Sequence, residues 1–284
     1  MASIGSVFEA ESLVDLEFPM VPPADNRRHR IRWGRGLILW LAAAYFLIPI
    51  YAALHFSLQD NNGNFSLSPI TAIPSQPGLG AAFFLSMRLA IVTMVVTMLL
   101  MVPTVIYVHL KMPRFRRVME VITILPIVIP PIVLILGVLH ASPLWLKSSP
   151  YLLSLVYVIL AMPFVYRSLD AGLGALDVKT LVEASRSLGA GWLATMWRVL
   201  VPNLRSALLS ATVLTIALVL GEFTMASLDL WETLPVWIVD FDQTNAHIST
   251  AVAMLSLIAT FLLLTLIVSL DRSHSRQRRR NQSS

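Results

Sequence analysis

Long apolar runs alternate with short polar intervals along almost the whole of this chain. The runs fall at about 36–58, 82–108, 118–139, 150–167, 206–225 and 249–270. Each approaches or exceeds the roughly 18–20 residues that an α-helix needs to cross the hydrocarbon core of a bilayer. The third contains LPIVIPP, with Pro126, Pro130 and Pro131. A proline removes a backbone donor and its ring clashes with the preceding turn, so this helix should be kinked or broken. In a membrane such a break is tolerated only where protein or a water-filled cavity satisfies the freed carbonyls, which places the third run inside a bundle. The fourth run is short, carries Pro163 and stops at Arg167.

Charge orients the runs. Arg27, Arg28, Arg30, Arg32 and Arg35 precede the first, and Lys111, Arg114, Arg116 and Arg117 follow the second. Arg167, Lys179, Arg186, Arg198 and Arg205 mark the interval between the fourth and fifth, and Arg272, Arg276, Arg278, Arg279 and Arg280 follow the sixth. The intervals 59–80, 140–150 and 226–248 hold one cation between them, Lys147. Cytoplasmic flanks concentrate Lys and Arg, so six spans with both termini in the cytoplasm are expected. The predicted organisation is a cytoplasmic tail 1–35, acidic up to residue 26, a six-helix transmembrane domain 36–270, and a basic cytoplasmic tail 271–284. The fold class is an all-α integral membrane protein.

Composition agrees. Of the 284 residues 56% are hydrophobic and 13% charged, against about a quarter charged in soluble domains. The net charge of +5 resides in arginines beside apolar runs, which reads as membrane flanks and not as a nucleic-acid surface. No positive n-region with a short apolar stretch opens the chain, so no signal peptide is expected. The absence of cysteine excludes thiol chemistry and cysteine-ligated metals. Lys111, Lys147 and Lys179 are the three lysines, and none follows a G-x-x-x-x-G frame, so no Walker A loop is present. No zinc-protease or nucleophile-elbow motif occurs, and no metal site is expected. Arg88 and Glu222 stand near the outer ends of the second and fifth runs. Mid-bilayer burial of such a group costs on the order of 3 kcal/mol or more, so both are candidates for a solute pathway, with snorkelling to the interface as the alternative.

The interval 170–205 is too polar to span and too patterned to be a loose loop. Asp177 is a candidate N-cap, followed by Val178, Leu181, Val182, Ser185 and Leu188 at helical spacing. Gly189 and Gly191 supply left-handed freedom for a sharp turn. Trp192, Leu193, Met196, Trp197 and Leu200 then form one stripe of a second helix that Pro202 should end. Such a helix pair could lie on a membrane surface or dock in a groove on a partner.

Glu183-Ala184-Ser185, Gly189, Val199, Val201 and Pro202 carry a spacing that resembles the EAA loop of permease subunits of bacterial ABC importers. That pattern is Glu-Ala-Ala, three residues, Gly, nine residues, Ile, any residue, Leu-Pro. Ser185, Val199 and Val201 replace Ala, Ile and Leu. MPRFRRVMEVITILPIVIPP is similar to the family's entry to its third span, and Gly221-Glu222-Phe223 to its fifth-span ending. The likeness covers about 80–270, and the wording looks closest to spermidine/putrescine-type permeases.

The resemblance implies a type I importer permease in the bacterial inner membrane. It further implies that Glu183, Ala184, Ser185, Gly189 and Pro202 couple to an ATP-binding subunit dimer, which holds ATP and Mg while this chain carries no cofactor, and the helix face of Trp192 and Trp197 is expected to join that contact. A second permease subunit, an extracytoplasmic solute-binding protein and membrane lipid complete the expected partners, without nucleic acid. The chain is then a transport subunit and not an enzyme, and the expected cargo is a polyamine. Ferric iron, thiamine, phosphonate, sulfate and molybdate are the alternatives within the same role. An ion-coupled secondary transporter is disfavoured because neither inverted repeats nor midplane charges are evident. An intramembrane enzyme would need paired polar groups at matching depths.

Overall fold

The computed structural model describes residues 27–60 and 62–281. The acidic stretch 1–26 and the end of the basic tail lie outside the described residues, as do the side chains of the flanking arginines at 27–35 and 272–280. The described residues form two compact units, divided after Ala52. The first contains most of α1 (Arg27–Ser57), whose portion Gly36–Ser57 is apolar enough to cross a membrane.

In the second unit a short helix, α2 (Ser68–Thr71), precedes the long α3 (Leu79–Lys111). The third apolar run is broken as its prolines require. The helix α4 (Arg116–Val128) stops, Ile129 and Pro130 are extended (ψ 125° and 136°), and α5 (Pro131–Ala141) leaves at 97° to α4. A residue that precedes proline is pushed out of the α region, and here two successive residues do so. Pro131 then occupies the first turn of α5, where its missing N–H costs nothing. Pro126, by contrast, is accommodated within α4.

After α6 (Leu144–Lys147) comes α7 (Tyr151–Gly174). It does not stop at Arg167 but runs seven residues further, because Leu169 and Leu173, one turn apart, are fully buried and continue its inner face. Of the apolar window of α7, 61% is buried, against 44% for α3 and 22% for α14 (Ala246–Asn281), which makes α7 the central rod of this unit. The interval to the fifth run holds α8 (Val178–Ser187), α9 (Trp192–Thr195) and α10 (Val201–Asn203). The fifth run itself is α11 (Arg205–Leu220), ending five residues before the expected boundary, and is followed by α12 (Thr224–Leu228) and α13 (Leu234–Asp242). Among the described residues four helices are long and apolar enough to span a membrane, and six spans result when each bent pair counts as one.

Two buried clusters stack along α7. One joins Met101, Val105 and Ile106 of α3 to Val165, Leu169 and Leu173 of α7 and to Val178, Met196 and Leu200. The other joins Leu89, Leu153, Val156 and Tyr157 to Val219, Met225 and Ala226. Close approach of α7 and α11 depends on Gly172, where an added Cβ would stand 2.6 Å from the Ala207 Cβ. Between lipid-like surfaces the hydrophobic effect gives little drive, so such backbone proximity supplies the packing.

Candidate functional site

The interval 178–203 is a helical pair built onto the first of these clusters. Asp177 caps α8 as its position predicts: its carboxylate accepts from the Thr180 backbone N–H at 3.3 Å and from the Thr180 hydroxyl at 2.8 Å. These hydrogen bonds hold the Asp177 carboxyl below its ordinary range. At the other end Gly189 has φ +81°. The Ala190 N–H donates to the Ser185 carbonyl at 3.1 Å and the Gly189 N–H to the Arg186 carbonyl at 2.9 Å. That pair of bonds is the Schellman arrangement, which needs a left-handed residue at position 189. Gly191 does not share this role; its backbone is extended (φ −72°, ψ 169°) as the N-cap of α9.

The two helices are joined at Ser185 and Thr195. Both are buried, and their hydroxyls share a hydrogen bond of 2.9 Å. This explains the one polar departure from the Glu-Ala-Ala wording: Ser185 has a partner. Thr195 was not legible as a functional position, because nothing in its spacing announces a cross-helix contact.

The expected second helix is not a simple α-helix. Met196–Leu200 forms a π turn in which the Val201 N–H donates to the Met196 carbonyl, five residues back. Pro202 follows at once. Its ring cannot tolerate a regular preceding turn and its nitrogen offers no donor, and the wider turn accommodates both. Asn203 adds a hydrogen bond from its Nδ2 to the Val199 carbonyl at 2.7 Å. The chain therefore turns not at Pro202 but at Leu204, with a 76° bend between Trp192–Asn203 and Arg205–Leu220.

This geometry splits the predicted stripe. Met196 and Leu200 are buried, and Trp192 is half-buried with its ring edge-on to Tyr107 (centroids 6.3 Å apart). Leu193 (66% exposed) and Trp197 (51%) face away from the cluster. Leu188, expected on the inner face of α8, is instead its C-cap and 88% exposed. Glu183, Ala184, Gly189 and Pro202 are exposed as well, whereas Ser185 lies inside. The loop thus presents Leu188, Leu193 and Trp197 on an outer side that also carries Glu183, Lys179, Arg186 and Arg198, backed by an inner face packed into the cluster.

The structure does not bring Glu222 and Arg88 together. Glu222 accepts from the Tyr157 hydroxyl at 2.8 Å and from the Met225 and Ala226 N–H groups at 2.8 and 3.3 Å, which caps α12 and ties it to α7. Arg88 is exposed with its guanidinium 5.5 Å from the Tyr151 ring centroid. A separate cavity of about 560 Å³, mainly apolar, opens beside Phe83, Ser86, Leu234, Ser256 and Thr260. Among the described residues no group of three potential ligands is placed to hold a metal.

Known proteins match this arrangement. Residues 78–281 match the family described as "Binding-protein-dependent transport system inner membrane component". A probable molybdenum ABC transporter permease of Haloferax volcanii is 30% identical over 238 residues, covering 78% of this chain and 84% of that protein. The sulfate transport system permease CysW of Synechococcus elongatus is 30% identical over 134 residues, 45% of this chain and 46% of its own length. A solved bacterial ABC transporter involved in import of the acidic polysaccharide alginate shares the fold, with TM-score 0.68 at 15% identity over 87% of this chain and 99% of the matched chain. The two named permeases carry molybdenum and sulfate in their names, and neither a polyamine, so the spermidine/putrescine wording is not supported. With the family match spanning most of its length, this chain belongs to the binding-protein-dependent transport system inner membrane components, as a multi-pass permease subunit of an ABC importer.

Proposed function

We propose that this permease moves an oxyanion of the molybdate and sulfate class into the cytoplasm by alternating access. It pairs with a second permease subunit, takes solute from an extracytoplasmic binding protein, and is driven by two ATP-binding subunits that hold ATP and Mg. The observation that carries the mechanism is the division of the 178–203 loop. Leu188, Leu193 and Trp197 stand exposed on the outer face while Val178, Met196 and Leu200 are locked into the core of α3 and α7. Exposed apolar side chains of this kind dock in a groove, and the packed inner face passes the load to the spans. On this reading the loop and both termini are cytoplasmic, in keeping with the distribution of arginine. The substrate class rests on the named relatives.

Reconstitution with its partner subunits tests both halves. Uptake of labelled molybdate should be competed by sulfate and tungstate and not by spermidine; the opposite ranking overturns the substrate class. Glu183→Lys and Gly189→Pro should each weaken solute-stimulated ATPase activity by more than about tenfold, as loss of a well-packed anchor does. Unchanged activity in both variants would sink the coupling assignment.

A further inference from the structure

We propose that Asp170 is a positioning residue that makes α4 follow the 178–203 loop. Asp170 lies on α7 one turn before its end, between Leu169 and Leu173, which are buried in the same cluster as Val178, Met196 and Leu200 of the loop. Displacement of the loop therefore reaches Asp170 through close-packed side chains, which transmit strain with little compliance. From Asp170 it passes to α4 through a fork. Arg116, the first residue of α4, donates Nη2 to both Asp170 carboxylate oxygens at 2.8 Å and Nε to Oδ1 at 3.1 Å. A planar guanidinium on a carboxylate fixes orientation as well as distance. The Tyr166 hydroxyl, one turn earlier on α7, donates to the Arg116 carbonyl at 2.8 Å, so side chain and backbone of Arg116 are both held.

Beyond Arg116, α4 packs on α7, with Met119 against the cluster that holds Leu169 and Leu173. Thr123 is its one buried residue, and Val118, Val121, Ile122, Leu125 and Val128 are exposed. At its far end the break at Ile129–Pro130 interrupts the helical ladder to α5. A helix held on α7 along its first half, and bent away from α5 beyond its end, follows the motion of α7. The helix α3 reaches the same carboxylate through His109, whose Nδ1 stands 3.6 Å from Asp170 Oδ1. Asp170 is thus the point where α3, α4 and α7 meet beside the loop.

This inference rests on the coupling assignment, and paired spin labels separate the two. The chain has no cysteine, so label sites can be introduced without removing native ones. Labels at Lys179 and Val239 report movement of the loop relative to α13. Labels at Lys179 and Leu125 report whether α4 travels with it. In the assembled, ATPase-active transporter in lipid nanodiscs, trapping with ATP and vanadate should change the first distance and leave the second fixed. In Asp170→Asn the second distance should shift or broaden on trapping, and Arg116→Lys, which keeps the charge without the fork, should do the same. Exchange of the pair, Asp170→Arg with Arg116→Asp, should restore the fixed distance. Solute-stimulated ATPase activity with molybdate should fall at least about fivefold in Asp170→Asn, the low end of a site-to-site coupling. If the first distance never changes, the coupling assignment fails and this inference with it. A changing first distance with the second equally fixed in wild type and both single variants overturns the role of Asp170 alone.

Discussion

Replacing Ser185 by alanine should destabilise the protein more than replacing both members of its pair. Ser185 and Thr195 are 7% and 1% exposed, and their hydroxyls satisfy one another at 2.9 Å. In Ser185→Ala the Thr195 hydroxyl loses that partner away from water, which costs about 1–3 kcal/mol. Thr195→Val strands Ser185 in the same way. The double variant removes both polar groups and leaves methyl groups in contact, so it should lie within about 1 kcal/mol of wild type. The coupling energy from the cycle should then be at least about 1 kcal/mol, well above the few tenths expected of independent sites. Thermal unfolding of the four proteins in the same detergent checks this. Each single variant should lose roughly 3–6 °C and the double variant less than either. Additive losses, with the double variant least stable, would refute the claim that Ser185 is held by Thr195.

Three further outcomes are expected. Gly172→Ala should cost about 1–3 kcal/mol by overpacking, because the new Cβ would stand 2.6 Å from the Ala207 Cβ; Ala207→Gly in the same chain should recover most of the loss in melting temperature. Gly189→Ala should cost about 1–2 kcal/mol, since φ is +81° there and an L side chain resists that region; nothing lies within 4 Å of the added Cβ, so Gly189→Asn should be milder, and equal melting temperatures for all three would contradict the strain argument. Asp229, after α12, has its carboxyl pushed up to about 6 by burial, and its Oδ2 is buried without a hydrogen-bond partner. Its folded pKa lies above the ordinary aspartate value of 3.8, so the folded state holds the extra proton between these values and stability falls as pH rises through that window. Asp229→Asn should therefore raise stability at pH 7.5, by about 1 kcal/mol after discounting for solvent screening, and leave it unchanged near pH 3; a gain of equal size at both pH values would remove burial of the charge as the cause.

Much of the architecture was legible because it rests on local chemistry. Pro130-Pro131 breaks the third span wherever the chain is placed, since the residues before proline cannot be helical. Asp177 caps α8 and Gly189 closes it through bonds to residues within five positions. The spacing from Glu183 to Pro202 likewise survives inspection in one dimension. Relations across the bundle did not. Arg167 ends an apolar run yet lies inside α7, because burial of Leu169 and Leu173 outweighs the local polarity. Arg116 reads in sequence as one flanking cation among several, and only the packing of α4 on α7 gives it Asp170.

The stripe Trp192–Trp197–Leu200 shows the limit most clearly. Periodicity treats an α-helix as regular, whereas Pro202 and the π turn before it rotate the register, sending Trp192 and Leu200 inward and Trp197 outward. The sequence by itself determined what depends on the chain's own bonds: the apolar lengths that make spans, the prolines and glycines that end helices, and the motif that marks the loop. Tertiary structure decided which face of that loop is bound to α3 and α7 and which is left open. Relations of this kind depend on side chains brought together by packing, as with Arg116 and Asp170 at a separation of 54, and no local propensity encodes such a distance.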